Sequence, residues 1–131
     1  MIKTRQISKH FYKNYLERAE DCYETMNERY SKGKHISAVI NAIHCCISAA
    51  DALTIFFKEK RHSGENHLET INLLKTLNIQ DFGNKINFFS QVIKLKSNAE
   101  YGERNLSKGE ADIAVKNTEK FFKFVKNLLT E

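Results

Sequence analysis

Two side chains in the middle of the chain have types and spacing suited to phosphate chemistry. Arg61 and His67 stand in the run Arg61-His-Ser-Gly-Glu-Asn-His67. A guanidinium can hold a phosphate through paired hydrogen bonds, and an imidazole titrates near neutrality and can move a hydroxyl proton. The alternative is a polar connection in which His67 begins a helix and packs locally. The spacing alone leaves both interpretations open.

A second polar group precedes the last predicted helix. Lys96 and Glu100 stand at positions i and i+4, so the simplest interpretation is a surface ion pair worth about 0.2–0.5 kcal/mol. Tyr101 is expected to bury its ring and leave its hydroxyl at a loop. Together with Arg104, these residues are candidates for contact with a ligand or a partner.

Several catalytic motifs are missing from the sequence. It has no glycine-rich phosphate loop, no His-Glu-x-x-His and no Cys-x-x-Cys. His44, Cys45 and Cys46 are consecutive, and neighbouring helical residues point about 100° apart, so the three cannot face one ion. We therefore predict neither a metal nor a cofactor.

Composition limits the compartment and the partners. Three cysteines, two of them adjacent, are typical of a reducing compartment and not of a disulfide framework. We see no secretory signal and no apolar run of about 18 residues, so a cytoplasmic protein is expected. The net charge of +5 permits a polyanionic partner, but scattered lysines also fit a solvated surface.

The elements that must position these residues are helices. The chain has no proline, and apolar residues recur at three- and four-residue steps. The pattern predicts a single domain, residues 1–131, formed by an all-α, five-helix up-down bundle with no strands. The predicted helices cover about residues 7–30, 34–60, 67–77, the stretch from about 84 to 100, and 108 to the end.

The second and fifth helices are predicted to be the most buried. The second carries an Ile and Phe stripe beside a stripe of small residues, which favours a central position or a subunit interface. Ser107 and Glu110 form a capping box at the start of the fifth helix. The first stripe consists of Ile36, Ile40, Ile43, Ile47, Ala50 and Phe57, and the second of Ala38, Ala42, Cys45, Ala49 and Ala52.

From about residue 36 onward the sequence resembles the HEPN-domain superfamily of helical bundles. The resemblance lies in the order of soft motifs: a small and apolar second helix, a polar loop with a His, a short helix, a basic residue before an acid and Tyr, and a Phe-rich last helix. These motifs are Ala42–Leu53, His67, Leu73-Leu74, Lys96 with Glu100-Tyr101, Ser107–Ala111 and Phe121–Val125.

The likeness is greatest to a HEPN branch that lacks the ribonuclease motif and has Arg and Asp-Tyr before the last helix. This chain has Lys96 and Glu100-Tyr101 there, and a lysine cannot make the bidentate contact of an arginine. Many HEPN ribonucleases carry their Arg–His motif near the start of the last helix, whereas no histidine follows His67 here.

The resemblance therefore implies a non-catalytic binding module. Such proteins are small homodimers that serve a minimal nucleotidyltransferase or a nucleic acid in toxin–antitoxin or defence loci. The alternative is a metal-independent HEPN endoribonuclease that uses Arg61 and His67, or a degenerate set of Lys96, Tyr101 and Arg104. We also expect a homodimer at micromolar concentration, with His62, Lys96 and Tyr101 near a cleft at the subunit boundary.

Overall fold

The computed structural model describes residues 2–130, apart from the side chain of Tyr101. Most of these residues are helical, and one short strand pair and one 3-10 turn complete the fold. The elements are β1 (Thr4–Gln6), a 3-10 turn (Lys9–Phe11), α1 (Tyr12–Ser31), α2 (His35–Lys58), β2 (Lys60–His62), α3 (Glu69–Lys75), α4 (Gly83–Ile93), α5 (Lys96–Tyr101) and α6 (Lys108–Leu129).

The all-α fold predicted from the sequence is confirmed, and the fourth predicted helix is divided. Its two parts, α4 and α5, are separated by Lys94 and Leu95. The backbone tightens there, because the amide of Leu95 donates to the carbonyl of Val92, three residues back, at 3.0 Å. The division turns α5 into a short separate element that carries Lys96 and Glu100.

The core lies around α2, which packs against both α1 and α6. The whole stripe of small residues is buried, including Ala38, Ala42 and Cys45. Small side chains let neighbouring helices approach closely, so this stripe faces the centre of the bundle. The Ile and Phe stripe is only partly buried, and Ile36 and Phe57 near its two ends are exposed.

The last helix supplies the other half of the core. Its capping box is present: the amide of Glu110 donates to the Ser107 hydroxyl at 3.1 Å, and the amide of Ser107 donates to the Glu110 carboxylate at 2.9 Å. Phe121 and Phe122 are buried, and the Phe121 ring lies 5.3 Å from that of Phe89 in α4. These contacts fix α6 against α2 and α4.

The sequence pattern did not predict the strand pair, and that expectation of no strands was wrong. β1 pairs with β2 in antiparallel register, with Arg5 opposite Arg61. Each strand has three residues, too few for an alternating pattern to stand out. The pairing ties the N-terminal segment to the chain that leaves α2, where Glu59 has a left-handed backbone.

α2 is long and apolar enough to span a membrane by length and composition. However, 67% of its most apolar window is buried inside this chain. A helix that is central in its bundle is apolar around most of its circumference, and this burial accounts for the composition of α2.

Candidate functional site

Polar side chains from four elements meet beside α5. His44 comes from α2, His62 from β2, His67 from the loop at residues 63–68, and Lys96 and Glu100 from α5. We call these five residues the histidine–lysine cluster. They are separated by up to 56 positions in the sequence, and the fold alone brings them together.

His62 closes the base of the loop that carries His67. It is buried, with 3% of its surface exposed, and its Nε2 lies 3.2 Å from Oε1 of Glu69 at the start of α3. A Cβ added to Gly64 would lie 3.1 Å from the same nitrogen. The loop backbone therefore passes directly over this hydrogen bond. The expectation that His62 lies in a polar loop was wrong, because His62 belongs to β2 and is buried. Its position relative to a subunit boundary stays a prediction.

His67 is a half-buried imidazole at the edge of a pocket. Burial lowers its pKa, and the positive charge of Lys96 and the neighbouring His62 lower it further. Its ring centroid lies 5.4 Å from that of His62. Its Nδ1 is buried and has no hydrogen-bond partner among the described residues. The lowered pKa favours the neutral imidazole, and its Nδ1 is enclosed by protein atoms.

Lys96 and Glu100 form the other side of the cluster. Nζ of Lys96 donates to Oε2 of Glu100 at 3.1 Å, as the i, i+4 spacing predicts. Oε1 of the same carboxylate lies 3.9 Å from Nε2 of His44. Glu100 therefore links a lysine and a histidine from different helices.

The pocket beside His67 has a volume of about 270 Å³. Its floor includes Ile93, and its wall combines the cation of Lys96 with loop amides and side chains. The lining residues are Glu65, Asn66, His67, Leu68, Ile93, Lys94, Lys96 and Ser97. Two lysines and a neutral imidazole around one concave surface are suited to an anionic ligand.

Arg61 has a different environment from His67. Its Nη1 donates to the carbonyl of His62 at 3.0 Å, and its Nε is buried without a hydrogen-bond partner among the described residues. Its charge acts on Asp51 of α2, which is 8% exposed. Burial raises the pKa of Asp51 to about 7, although Arg61 and Arg18 oppose that rise. Arg61 is thus half-buried, donates to the strand backbone and acts electrostatically on the buried carboxyl group of Asp51.

Arg104 is occupied at the start of α6. Its guanidinium donates to both oxygens of Glu110, at 2.8 and 2.9 Å. These bonds lower the pKa of Glu110 to about 2. Arg104 is thus tied to the capping box and does not line the pocket beside His67. The side chain of Tyr101 lies outside the described part of the chain.

The residues that the sequence analysis missed are His44 and Glu69. The sequence pattern groups His44 only with Cys45 and Cys46, and the structure turns it to the surface while both cysteines are buried. The three side chains therefore do not converge. The single available signal was the placement of His44 and Lys96 in segments that carry the family resemblance.

The fold and the cluster define a small all-α domain with a polar pocket beside a short fifth helix. The sequence matches the HEPN domain family over residues 12–128, so the chain belongs to that family. The structure is similar to that of TT1696 from Thermus thermophilus, with a TM-score of 0.71 and 16% identity, covering 91% of this chain and 98% of that one. No curated protein matches the sequence.

Proposed function

We propose that this protein is a HEPN binding module that holds a phosphate-bearing ligand, a nucleotide or an RNA end, beside His67. The observation that carries the proposal is the pocket of about 270 Å³ with Lys96 and His67 in its wall. A lysine is a compact phosphate-binding charge, and a neutral imidazole can donate one hydrogen bond without adding a charge.

Binding without catalysis fits the placement of Arg61. A ribonuclease mechanism of the Arg–His type needs both side chains at one phosphate. Arg61 donates a hydrogen bond to the His62 carbonyl and interacts electrostatically with Asp51. It does not line the pocket of His67. The ammonium group of Lys96 is paired with the carboxylate of Glu100.

Isothermal titration with ATP, AMP and inorganic phosphate tests the pocket. We expect the wild type to bind at least one of these ligands, and Lys96→Gln and His67→Asn to weaken binding at least about tenfold, since a charged hydrogen bond contributes about 1.5–3 kcal/mol. Lys75→Gln, an exposed lysine on α3, is the matched control and keeps full affinity. Equal affinities for all four proteins would overturn the proposal.

The assembly that we propose is a homodimer. Ile36 of α2 and Ile113 of α6 are 40% and 50% exposed, and Ile36, Ile40 and Leu106 line an open depression of about 560 Å³. Exposed apolar groups of this kind often meet a second copy across a two-fold axis. Sedimentation equilibrium in the micromolar range is expected to give the mass of two chains. The mass of one chain would refute the dimer.

The partner and setting follow from the family resemblance. We propose a minimal nucleotidyltransferase as the partner, in a toxin–antitoxin or defence locus of the cytoplasm. Three free thiols support a reducing compartment. Co-expression with a nucleotidyltransferase encoded by the neighbouring gene, followed by gel filtration, tests this partner. Separate elution of the two proteins would argue against it.

A second candidate is a metal-independent endoribonuclease, and the lowered pKa of His67 favours it. A neutral imidazole beside a lysine can accept a proton from a ribose hydroxyl at pH 7. The test is incubation of mixed RNA with the wild type and with His67→Ala in a metal chelator. We expect that the wild type does not cleave RNA through His67. Cleavage by the wild type that is lost in His67→Ala would show that the protein is an endoribonuclease and not a binding module.

A further inference from the structure

We infer that a second surface, remote in sequence from the pocket of His67, binds single-stranded nucleic acid. The N-terminal segment and the C-terminal end of α2 build it. Its six residues are Lys9, His10, Phe11, Lys13, Phe56 and Phe57, and we call it the basic–aromatic surface. None of them lines the pocket beside His67, so the inference does not need the proposed function.

Two hydrogen bonds from backbone amides hold the N-terminal segment against Glu59, the residue directly after α2. The amide of Ile7 donates to the carbonyl of Glu59 at 2.9 Å, and the amide of Lys9 donates to the Glu59 carboxylate at 3.1 Å. The family match begins only at residue 12. Lys9, His10 and Phe11 therefore lie outside the matched region, whereas Lys13, Phe56 and Phe57 lie within it.

Aromatic rings on this surface remain open to solvent. Phe11 is 42% exposed and Phe57 is 43% exposed. The Phe56 ring supports Phe57 at a centroid distance of 4.9 Å, and His10 lies 4.1 Å from Phe11. Rings held in place by other rings, with one face free, are platforms on which nucleobases stack.

A lysine is placed among these rings. Nζ of Lys9 lies 4.3 Å from the centroid of Phe56. Lys9, Lys13 and Phe56 also line a concave region of about 750 Å³. Glu59 also lines this region, whereas Phe11 and Phe57 lie outside it. Its volume is within the range of small-ligand sites, so a base can enter beside Phe56 while Lys9 and Lys13 reach its phosphates.

The cations of this region lack carboxylate partners. Among the described residues, no ion pair within 4 Å involves Lys3, Arg5, Lys9, Lys13, Lys58 or Lys60. Residues 2–13 contain no acid. Two carboxylates lie nearby: that of Glu59 accepts the amide of Lys9, and Glu17 stands four residues after Lys13 and lines a pocket with it.

The strand pair adds a like-charge contact. Arg5 of β1 stands directly opposite Arg61 of β2. Like charges facing each other across a strand pair destabilise it, and a bound polyanion removes that cost. Lys60 lies on the opposite face of the strand pair from Arg5. Arg5 therefore adds one exposed positive charge four residues before the basic–aromatic surface begins at Lys9.

Single-stranded nucleic acid fits this arrangement better than a lipid surface. An interfacial helix separates an apolar face from a charged face. Here Lys9 lies over the Phe56 ring and Phe57 packs against that ring, so a cation and aromatic rings are adjacent. A single strand offers both groups at once.

The test is fluorescence anisotropy with a labelled oligo(U) RNA of about 12 nucleotides, between about 50 and 200 mM salt. We expect the wild type to bind, with a slope of log affinity against log salt near −0.7 for each phosphate contacted. The double variant Lys9→Glu/Lys13→Glu is expected to lose at least about tenfold in affinity and to flatten the slope by about 1 or more.

Phe57→Ala separates stacking from charge. It is expected to lower affinity about five- to a hundredfold with the salt slope unchanged. The matched charge control is Lys75→Glu/Lys116→Glu, which changes the net charge equally at exposed lysines on α3 and α6. Far-UV circular dichroism checks that every variant is folded.

Several results would overturn the inference. They are no RNA binding by the wild type at low salt, equal losses in the two double variants, or no effect of Phe57→Ala. If only Lys96→Gln lost RNA binding, the RNA would be assigned to the pocket beside His67. That result would refute RNA binding at the basic–aromatic surface and would leave the proposed function standing. Binding to phosphatidylglycerol vesicles without RNA binding would assign the surface to a membrane instead.

Discussion

His62 and Glu69 close the loop at residues 63–68, because Nε2 of His62 lies 3.2 Å from Oε1 of Glu69. One partner ends β2 and the other begins α3, so the hydrogen bond joins the two elements that flank the loop. The position of His67 beside Lys96 depends on this closure. The first two predictions concern the contact itself.

Removing the acceptor is expected to destabilise the protein. Glu69→Ala leaves a buried imidazole nitrogen of His62 without its partner, and we expect a loss of about 1–3 kcal/mol in the free energy of unfolding. Glu69→Gln keeps an acceptor oxygen and is expected to lose less. Urea unfolding measures both. Glu65→Ala, an exposed acid in the same loop, is the control and should change stability by less than about 0.5 kcal/mol.

A methyl group over the same contact is also expected to destabilise the protein. In Gly64→Ala, the added Cβ would lie 3.1 Å from Nε2 of His62 and 3.2 Å from Oε1 of Glu69, closer than ordinary contact. We expect a loss of about 1–3 kcal/mol. Gly83→Ala, where nothing lies within 4 Å, is the matched control and should be neutral or stabilising by up to about 1 kcal/mol. Similar urea midpoints for both variants would contradict the geometry.

The buried carboxyl group of Asp51 predicts a specific pH dependence. Burial raises its pKa from 3.8 to about 7, so between these values the folded protein keeps a proton that the unfolded chain releases. The free energy of unfolding therefore falls as pH rises through this window, by up to about 1.4 kcal/mol per pH unit. The lowered pKa of His67 acts in the opposite direction, which makes a comparison with a variant necessary.

Asp51→Asn isolates this contribution, because the contribution of His67 is common to both proteins. We expect the variant to match the wild type near pH 4 and to become the more stable of the two near pH 8. Chemical unfolding at a series of pH values measures the difference. Parallel stability curves would show that Asp51 is ionised in the folded protein at neutral pH.

Two isoleucines of α2 are expected to differ in their contribution to stability. Ile43 is 1% exposed, so Ile43→Ala should cost about 2–5 kcal/mol. Ile47 is only partly buried, and Ile47→Ala should cost less than about 2 kcal/mol. The sequence pattern assigned both residues to one buried stripe. Equal losses in urea unfolding would support that simpler assignment over the observed burial.

The helices, the cap of α6 and the central place of α2 could be predicted from the amino-acid sequence. These features depend on the spacing of residues within one segment, since an apolar stripe at three- and four-residue steps can be buried only by a helix. Ser107 and Glu110 likewise form a motif that closes over one helical turn. The i, i+4 pair of Lys96 and Glu100 is of the same local kind.

Which polar residues meet could be known only from the packed fold. Arg61 and His67 are close in sequence, yet Arg61 donates to the His62 carbonyl while His67 and Lys96 line one pocket. His44 reaches Glu100 because α5 is a short helix separate from α4. No residue pattern in the sequence predicts the break between these two helices. Such contacts depend on how elements pack across long sequence separations, and local periodicity carries no information about that packing.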